Sequence, residues 1–341
     1  MYTKQQLIHE IMQIRKEIGH EEVVPEIKEI HYNNDELTII TPDRPEKSII
    51  IGKGGWVVGK LREKLGINQI HIVAYTDLIL KEYQVGLSVK HVESLIKDKK
   101  IPEEYSIVFN GIHDLLKQKH EAIYDKSVIE MFIDENIDRK KIDGTKCYVA
   151  LSGGADSSFS TIFAKALGFD VKCISVFAGT IILPSKFQRN INNLCNKLNL
   201  EHEYLETDMD EVIQEALKGN IHPCGQCSSH TSSVIKQKLE DDDIKIVIYG
   251  DLLSTGSRSI IIDDDIIRIN LPALFRMEKT EIKNINAKFD VEKIKGYGCP
   301  LIVQVHEKYP QYKQFSIQRV LRETRSGILE PGEALELIKT I

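Results

Sequence analysis

The chain has 341 residues, a formal net charge of −6, 42% hydrophobic and 28% charged residues, and six cysteines. That length holds two or three packed domains, and the acidic balance works against any partner recruited by bulk attraction of a polyanion. With no N-terminal apolar signal segment and no run long enough to cross a bilayer, the sequence predicts a cytoplasmic protein with no membrane partner. Its cysteines then serve metal, redox or packing roles and not a disulfide framework.

In chain order, Leu7, Ile11, Ile14 and Ile18 recur at helical spacing and predict a helix in a first segment that ends near residue 32. Strand-like runs follow at 36–41 and 69–75. Between them, Ile49-Ile50-Ile51 reads as an apolar strand end, Gly52-Lys53-Gly54-Gly55 as a glycine loop, and the residues beyond as an amphipathic helix. This stretch is locally basic, since Arg44, Lys47, Lys53, Lys60, Arg62 and Lys64 face only Glu46 and Glu63. Such a patch outweighs net charge within the Debye length of about 8 Å, and Arg319, Arg322 and Arg325 form a second candidate group for a phosphate backbone. Residues 78–96 and 112–137 read as helical, broken at Lys97-Asp98-Lys99-Lys100 and Pro102.

From Lys146 onward the pattern alternates, with strands at 147–151, 171–178, 202–206 and 244–249 and helices at 157–167, 185–198, 209–218 and 228–239. Alternation of this kind predicts an α/β fold with a doubly wound parallel sheet, whose ligand sits beyond the carboxyl ends of the strands. Segments 317–324 and 333–339, around Pro331-Gly332, predict a terminal helical hairpin. The expected division is 1–100 for the first helix and glycine-loop module, 101–140 for a helical connector, 141–312 for the sheet domain and 313–341 for the hairpin.

Two motifs carry the chemistry. Ser152-Gly153-Gly154-Ala155-Asp156-Ser157 lies between a strand and a helix, where backbone amides and the positive end of the helix dipole converge on an anion. It lacks the Lys-Ser/Thr pair of a Walker loop, so γ-phosphate transfer is not expected. Pro223-Cys224-Gly225-Gln226-Cys227, with Cys299 downstream, supplies three thiols. Three thiols suit an iron-sulfur cube with one open iron; a zinc site would need further ligands, and a persulfide on one thiolate resolved by another remains an alternative. Cys147, Cys173 and Cys195 sit among apolar neighbours and are expected to be buried. His222 and His230 are expected to make local hydrogen bonds, and the acidic runs 240–243 and 263–265 to be solvated turns.

The SGGADS loop resembles the PP-loop of the ATP pyrophosphatases. With the three cysteines in this order, residues 140 to 310 resemble the iron-sulfur-dependent tRNA sulfurtransferases of that superfamily, the thiouridine synthetase-like enzymes. The stretches Val247 to Ser257 and Leu271-Pro272-Ala273-Leu274 with Lys279-Thr280-Glu281-Ile282 are similar to parts of the same enzymes. The Ile49 to Leu61 stretch resembles a KH domain, in which a GxxG loop clamps the backbone of single-stranded RNA. The resemblance implies ATP-dependent tRNA thiolation: AMP is transferred to a uridine or cytidine carbonyl oxygen, and sulfide on a 4Fe-4S cluster replaces it. It implies ATP and Mg2+ at Ser152, Gly153, Gly154, Asp156, Ser157, Ser158, Phe177, Gly250 and Asp251. The cluster falls to Cys224, Cys227 and Cys299, which with Asp156 are the catalytic residues, and RNA falls to Gly52, Lys53, Gly54, Gly55, Lys60 and Arg62. Implied partners are tRNA and either sulfide or a sulfur-donor protein, with a homodimer left open. The chain departs from the family in lacking both further CxxC pairs and a THUMP domain. Competing readings are an adenylating tRNA ligase without sulfur transfer, a cysteine-persulfide sulfurtransferase, and an RNA-binding adaptor that only senses ATP.

Overall fold

The computed structural model describes residues 2–33, 36–253 and 255–341, and the chain divides into two compact units, Met1–Tyr83 and Gln84–Ile341. In the first unit, helix α1 (Lys4–Glu17) starts at a capping box between Thr3 and Gln6 and buries Leu7, Ile11 and Ile14. A hairpin of β1 (Glu29–Asn33) and β2 (Glu36–Thr41) follows, then α2 (Arg44–Ile51), α3 (Trp56–Leu65) and β3 (Gln69–Ala74). The sheet order is β1-β2-β3, with β1 antiparallel and β3 parallel to β2. Ile49 to Ile51 are therefore helical and do not end a strand. The Asp43 side chain accepts a hydrogen bond from the Glu46 amide, and Pro45 stands in the first turn, which starts a helix in spite of the β-branched run. Ile50 then packs with Val57 and Leu61 of α3 in one apolar cluster, burial that is worth about 1.5–3 kcal/mol per side chain.

Helix α4 (Tyr75–Lys97) leads to α5 (Ser106–Glu121) and α6 (Val128–Asn136). The second unit continues through β4 (Lys146–Ala150), α7 (Ala155–Leu167), β5 (Asp170–Phe177), α8 (Ser185–Leu198), β6 (Glu201–Glu206), α9 (Asp210–Lys218), α10 (Pro223–Asp241) and β7 (Ile246–Tyr249). It closes with β8 (Ile260–Asp263), β9 (Ile266–Asn270), α11 (Leu271–Leu274), α12 (Lys279–Lys288), α13 (Pro300–Lys308), α14 (Lys313–Arg325) and α15 (Pro331–Lys339). The sheet order is β6-β5-β4-β7-β9-β8, parallel throughout except for β8, which runs antiparallel to β9. On one face Phe159 and Phe163 of α7 and Ile191 and Leu194 of α8 share a core with Val149, Cys173 and Ile248. On the other, Ile235 and Leu239 of α10 cover Tyr148, Ile174 and Val247.

Two differences from the sequence expectation matter for the site. The β8–β9 hairpin was foreshadowed only by its acidic turn, and α10 starts at Pro223, so the CxxC pair lies inside a helix and not in a loop ahead of it. Ser254, within the stretch compared with the synthetases, lies outside the described residues. The chain leaves β4 toward β5 and β6 and then returns to β4's other flank as β7. A crevice opens at such a reversal, beyond the carboxyl ends of the two strands.

Candidate active site

Beyond β4 the backbone turns sharply at Gly153, with φ of +70°, and a Cβ there would meet the Phe187 carbonyl oxygen at 2.3 Å. Only glycine fits. Gly154 precedes α7 with extended dihedrals and no side chain caps the helix, so the first-turn amides stay open to an anion. The Ser157 hydroxyl accepts from the Ser152 amide at 3.1 Å, donates to the Gly154 carbonyl at 3.2 Å and lies 3.0 Å from Ser152 Oγ. From β7, Gly250 crosses so close to α7 that a Cβ would sit 2.7 Å from the Ser157 amide nitrogen. Two strand ends are thus clamped together through glycines.

Asp156 forms an ion pair with Lys279 at 2.6 Å, and Asn286 donates to the Ala155 carbonyl at 2.8 Å, so α12 braces the loop from behind. The cavity in front has a volume of about 820 Å³ and is walled by Ser152, Gly154, Asp156, Ser157, Gly250 and Asp251, together with Ser228, Thr231 and Ser232 of α10. Two carboxylates, Asp156 and Asp251, are among the lining residues, and carboxylate oxygens are hard donors of the kind that magnesium prefers. Gly153 shapes the loop without lining the space. Ser158 and Phe177 are also off the wall: the Ser158 hydroxyl is fully buried without a partner, and Phe177 packs edge-on against Tyr204 at 6.1 Å.

The cavity also holds three arginines. Arg268 lies over the Tyr249 ring at 4.2 Å, with its Nε buried and unpartnered. It was not foreseen, because its strand was not. Arg319 and Arg322, two of the three C-terminal arginines expected as candidate RNA contacts, line the same cavity from α14.

Cys224 and Cys227 stand in the opening turns of α10, and Cys299 is the residue on which α13 begins. Gly298 before it has φ of +74°, and a Cβ would strike Ile302 at 2.3 Å. Cys227 and Cys299 pack on one apolar group with Met209, Leu301 and Val305. Burial raises the Cys227 thiol to about 11, and Cys299 and Cys224 push it further in the same direction. The three sulfurs therefore feel one another. Burial pulls the Arg319 guanidinium down, but Glu323, Tyr297, Asp156 and Cys224 together hold it above its ordinary value. One side chain is thus in the field of both the anion loop and the thiols. Among the described residues no three His, Cys, Asp or Glu side chains converge as a single ion requires.

No family model matches the chain. An uncharacterized protein of Methanocaldococcus jannaschii, MJ1638, is 35% identical over 210 residues, covering 62% of this chain and 78% of that protein. The chain belongs to the MJ1638 family. Among solved structures, the U34-tRNA thiolase NcsA from Methanococcus maripaludis with its 4Fe-4S cluster is similar at a TM-score of 0.36 and 13% identity, over 62% of this chain and 75% of that one. That likeness is too distant to transfer a site.

In the first unit of this MJ1638 relative, Gly52, Gly54 and Gly55 have φ of +70°, +65° and +77°, and Gly52 is held against Val57, whose Cγ2 would lie 2.2 Å from a Cβ. Lys53 and Arg62 are exposed and Lys60 is half-buried. The basic patch is smaller than its sequence predicts, because Arg44 pairs with Asp77 at 2.7 Å and Lys64 with Glu10. Trp56, 66% exposed beside the loop, is an aromatic that motif reading passed over. No described helix is long and apolar enough to cross a membrane.

Proposed function

We propose that this protein is an ATP-dependent tRNA thiolation enzyme of PP-loop type, which adenylates a uridine or cytidine carbonyl oxygen and replaces it with sulfur. The carrying observation is that one cavity is lined by Asp156 of the anion loop, by Ser228, the residue that follows the CxxC pair, and by Arg319. A nucleotide held by the loop and a sulfur donor held by the cysteines would then share one space. An adenylating ligase has no use for that arrangement.

A carbonyl oxygen is a poor leaving group, and transfer of AMP to it supplies a better one. The open amides of α7 would take the charge of the departing pyrophosphate, with the Ser152 and Ser157 hydroxyls adding donors. Asp156 and Asp251 would hold the magnesium that accompanies ATP and neutralises its phosphates. Binding at the loop would also free Lys279 from Asp156 to face phosphate oxygens. Cys224, Cys227 and Cys299 would hold a 4Fe-4S cluster, which when bound supplies an iron without a protein ligand as a place for sulfide. Holding the two reactants side by side supplies most of the acceleration. The GxxG loop of the first unit, with Lys53 and Trp56 exposed beside it, supports a second hold on the RNA.

The deciding experiment is anaerobic purification with iron and sulfide analysis, followed by incubation with tRNA, ATP and sulfide and mass spectrometry of the nucleosides. A thionucleoside that requires ATP is expected. Pyrophosphate release with tRNA but no thionucleoside would favour the ligase.

A further inference from the structure

Helix α14 carries Phe315, Arg319 and Arg322 at positions i, i+4 and i+7, which places them on one stripe of the helix. The two arginines line the cavity. Phe315, 45% exposed, lies with its ring 5.2 Å from His222, the residue that precedes the CxxC helix, and 6.1 Å from Tyr312. His222 in turn lies 6.1 Å from His306. An open aromatic platform therefore stands beside the thiols, and two cations lead from it toward the anion loop.

We propose that α14 holds the target nucleotide of a single-stranded RNA segment, Phe315 stacking its base and Arg319 and Arg322 taking the adjoining phosphodiesters. This rests on the thiolation reading and names how its substrate is seated. A base is planar and apolar on its faces, and a ring exposed on one side offers the surface that stacking needs. Phe315 is 45% exposed, with one side of its ring packed towards His222 and Tyr312 and the rest open to solvent. The arginines suit a planar, bidentate grip on phosphate. Arg319 is partly engaged by Glu323 at 3.5 Å, a contact that a polyanion would replace. ATP also offers phosphate to these arginines, so the two sources must be separated by experiment.

The test uses the full-length, anaerobically purified protein with an unmodified tRNA transcript as one probe and ATP as the other. Phe315→Ala is expected to weaken tRNA binding roughly 5- to 100-fold, as loss of one base–aromatic stack does. Phe315→Trp should restore the affinity, and the melting temperature of both variants should match the parent. Arg322→Gln should lower the slope of log affinity against log salt for tRNA by about 0.7 to 0.9 and weaken tRNA by a larger factor than ATP. Arginine variants that weaken ATP and leave tRNA untouched would overturn the assignment, as would Phe315 variants neutral for tRNA. If the parent protein binds tRNA through this stripe but forms no thionucleoside, the thiolation reading falls and the α14 assignment stands. Thiolation that is indifferent to all three residues gives the reverse.

Discussion

Gly153 and Gly66 both hold a positive φ, +70° and +63°, but only Gly153 has backbone against the position of a Cβ. Gly66→Ala therefore meets only the left-handed backbone penalty of about 1–2 kcal/mol. Gly153→Ala adds a carbonyl collision that no rotamer relieves, so it is expected to lose more than about 2 kcal/mol and most of its ATP affinity. Calorimetric melting with and without ATP separates the two. A different residue-scale cost sits behind the loop, where Lys119 meets Glu281 at 3.4 Å with both side chains almost fully buried. Glu281 also accepts from the Glu278 amide at 2.8 Å, closing the cap of α12. Lys119→Met removes the buried cation that faces the Glu281 carboxylate and should cost about 3–5 kcal/mol in denaturant unfolding. Adding Glu281→Gln removes that charge and keeps the cap acceptor, so the double variant should regain much of the loss.

At the scale of elements, the helix N-termini of α7, α10 and α13 carry the proposed chemistry, and they were not equally legible. The loop before α7 stood out because a short apolar strand, two glycines and a helical period follow one another without interruption. The first turn of α10 did not, since Gly225 and two cysteines are weak helix formers; Pro223 in the first helical position was the overlooked start signal. Strands β8 and β9 are four and five residues long, too short for alternation to declare them, and Arg268 went unseen with them. Ile49 to Ile51 misled in the opposite sense, as β-branched propensity yielded to the Asp43 cap and to burial against α3. Because Cys224 is exposed and Cys227 and Cys299 are half-buried, replacing any one with serine should move stability by no more than about 1 kcal/mol. Each replacement is expected to abolish thionucleoside formation and deplete iron while ATP affinity persists. A variant that keeps full thiolation would remove that cysteine from the proposed set.

For the whole molecule, a net charge of −6 repels RNA at a distance, so the proposed tRNA affinity would come from local contacts, for which the Gly52–Gly55 loop of the first unit and the α14 stripe of the second are the candidates. Two contacts on one chain that engage one RNA multiply their affinities through effective concentration, whereas contacts serving different RNA molecules do not. Lys53→Glu combined with Gly54→Asp puts negative charge where the loop meets phosphate, and Gly54 has open space ahead of it apart from the Trp56 ring at 3.5 Å. That pair is expected to weaken tRNA binding at least about tenfold at physiological salt, where two reversed or added charges act within a Debye length. ATP affinity should not change. Joined to Arg322→Gln, the losses in binding free energy should add if one tRNA spans both contacts. A combined variant no weaker than the worse single variant would mean that the two units do not grip the same molecule. Fluorescence anisotropy of labelled tRNA across a salt series reads both quantities, and the combined salt slope should fall by the sum of the separate decrements.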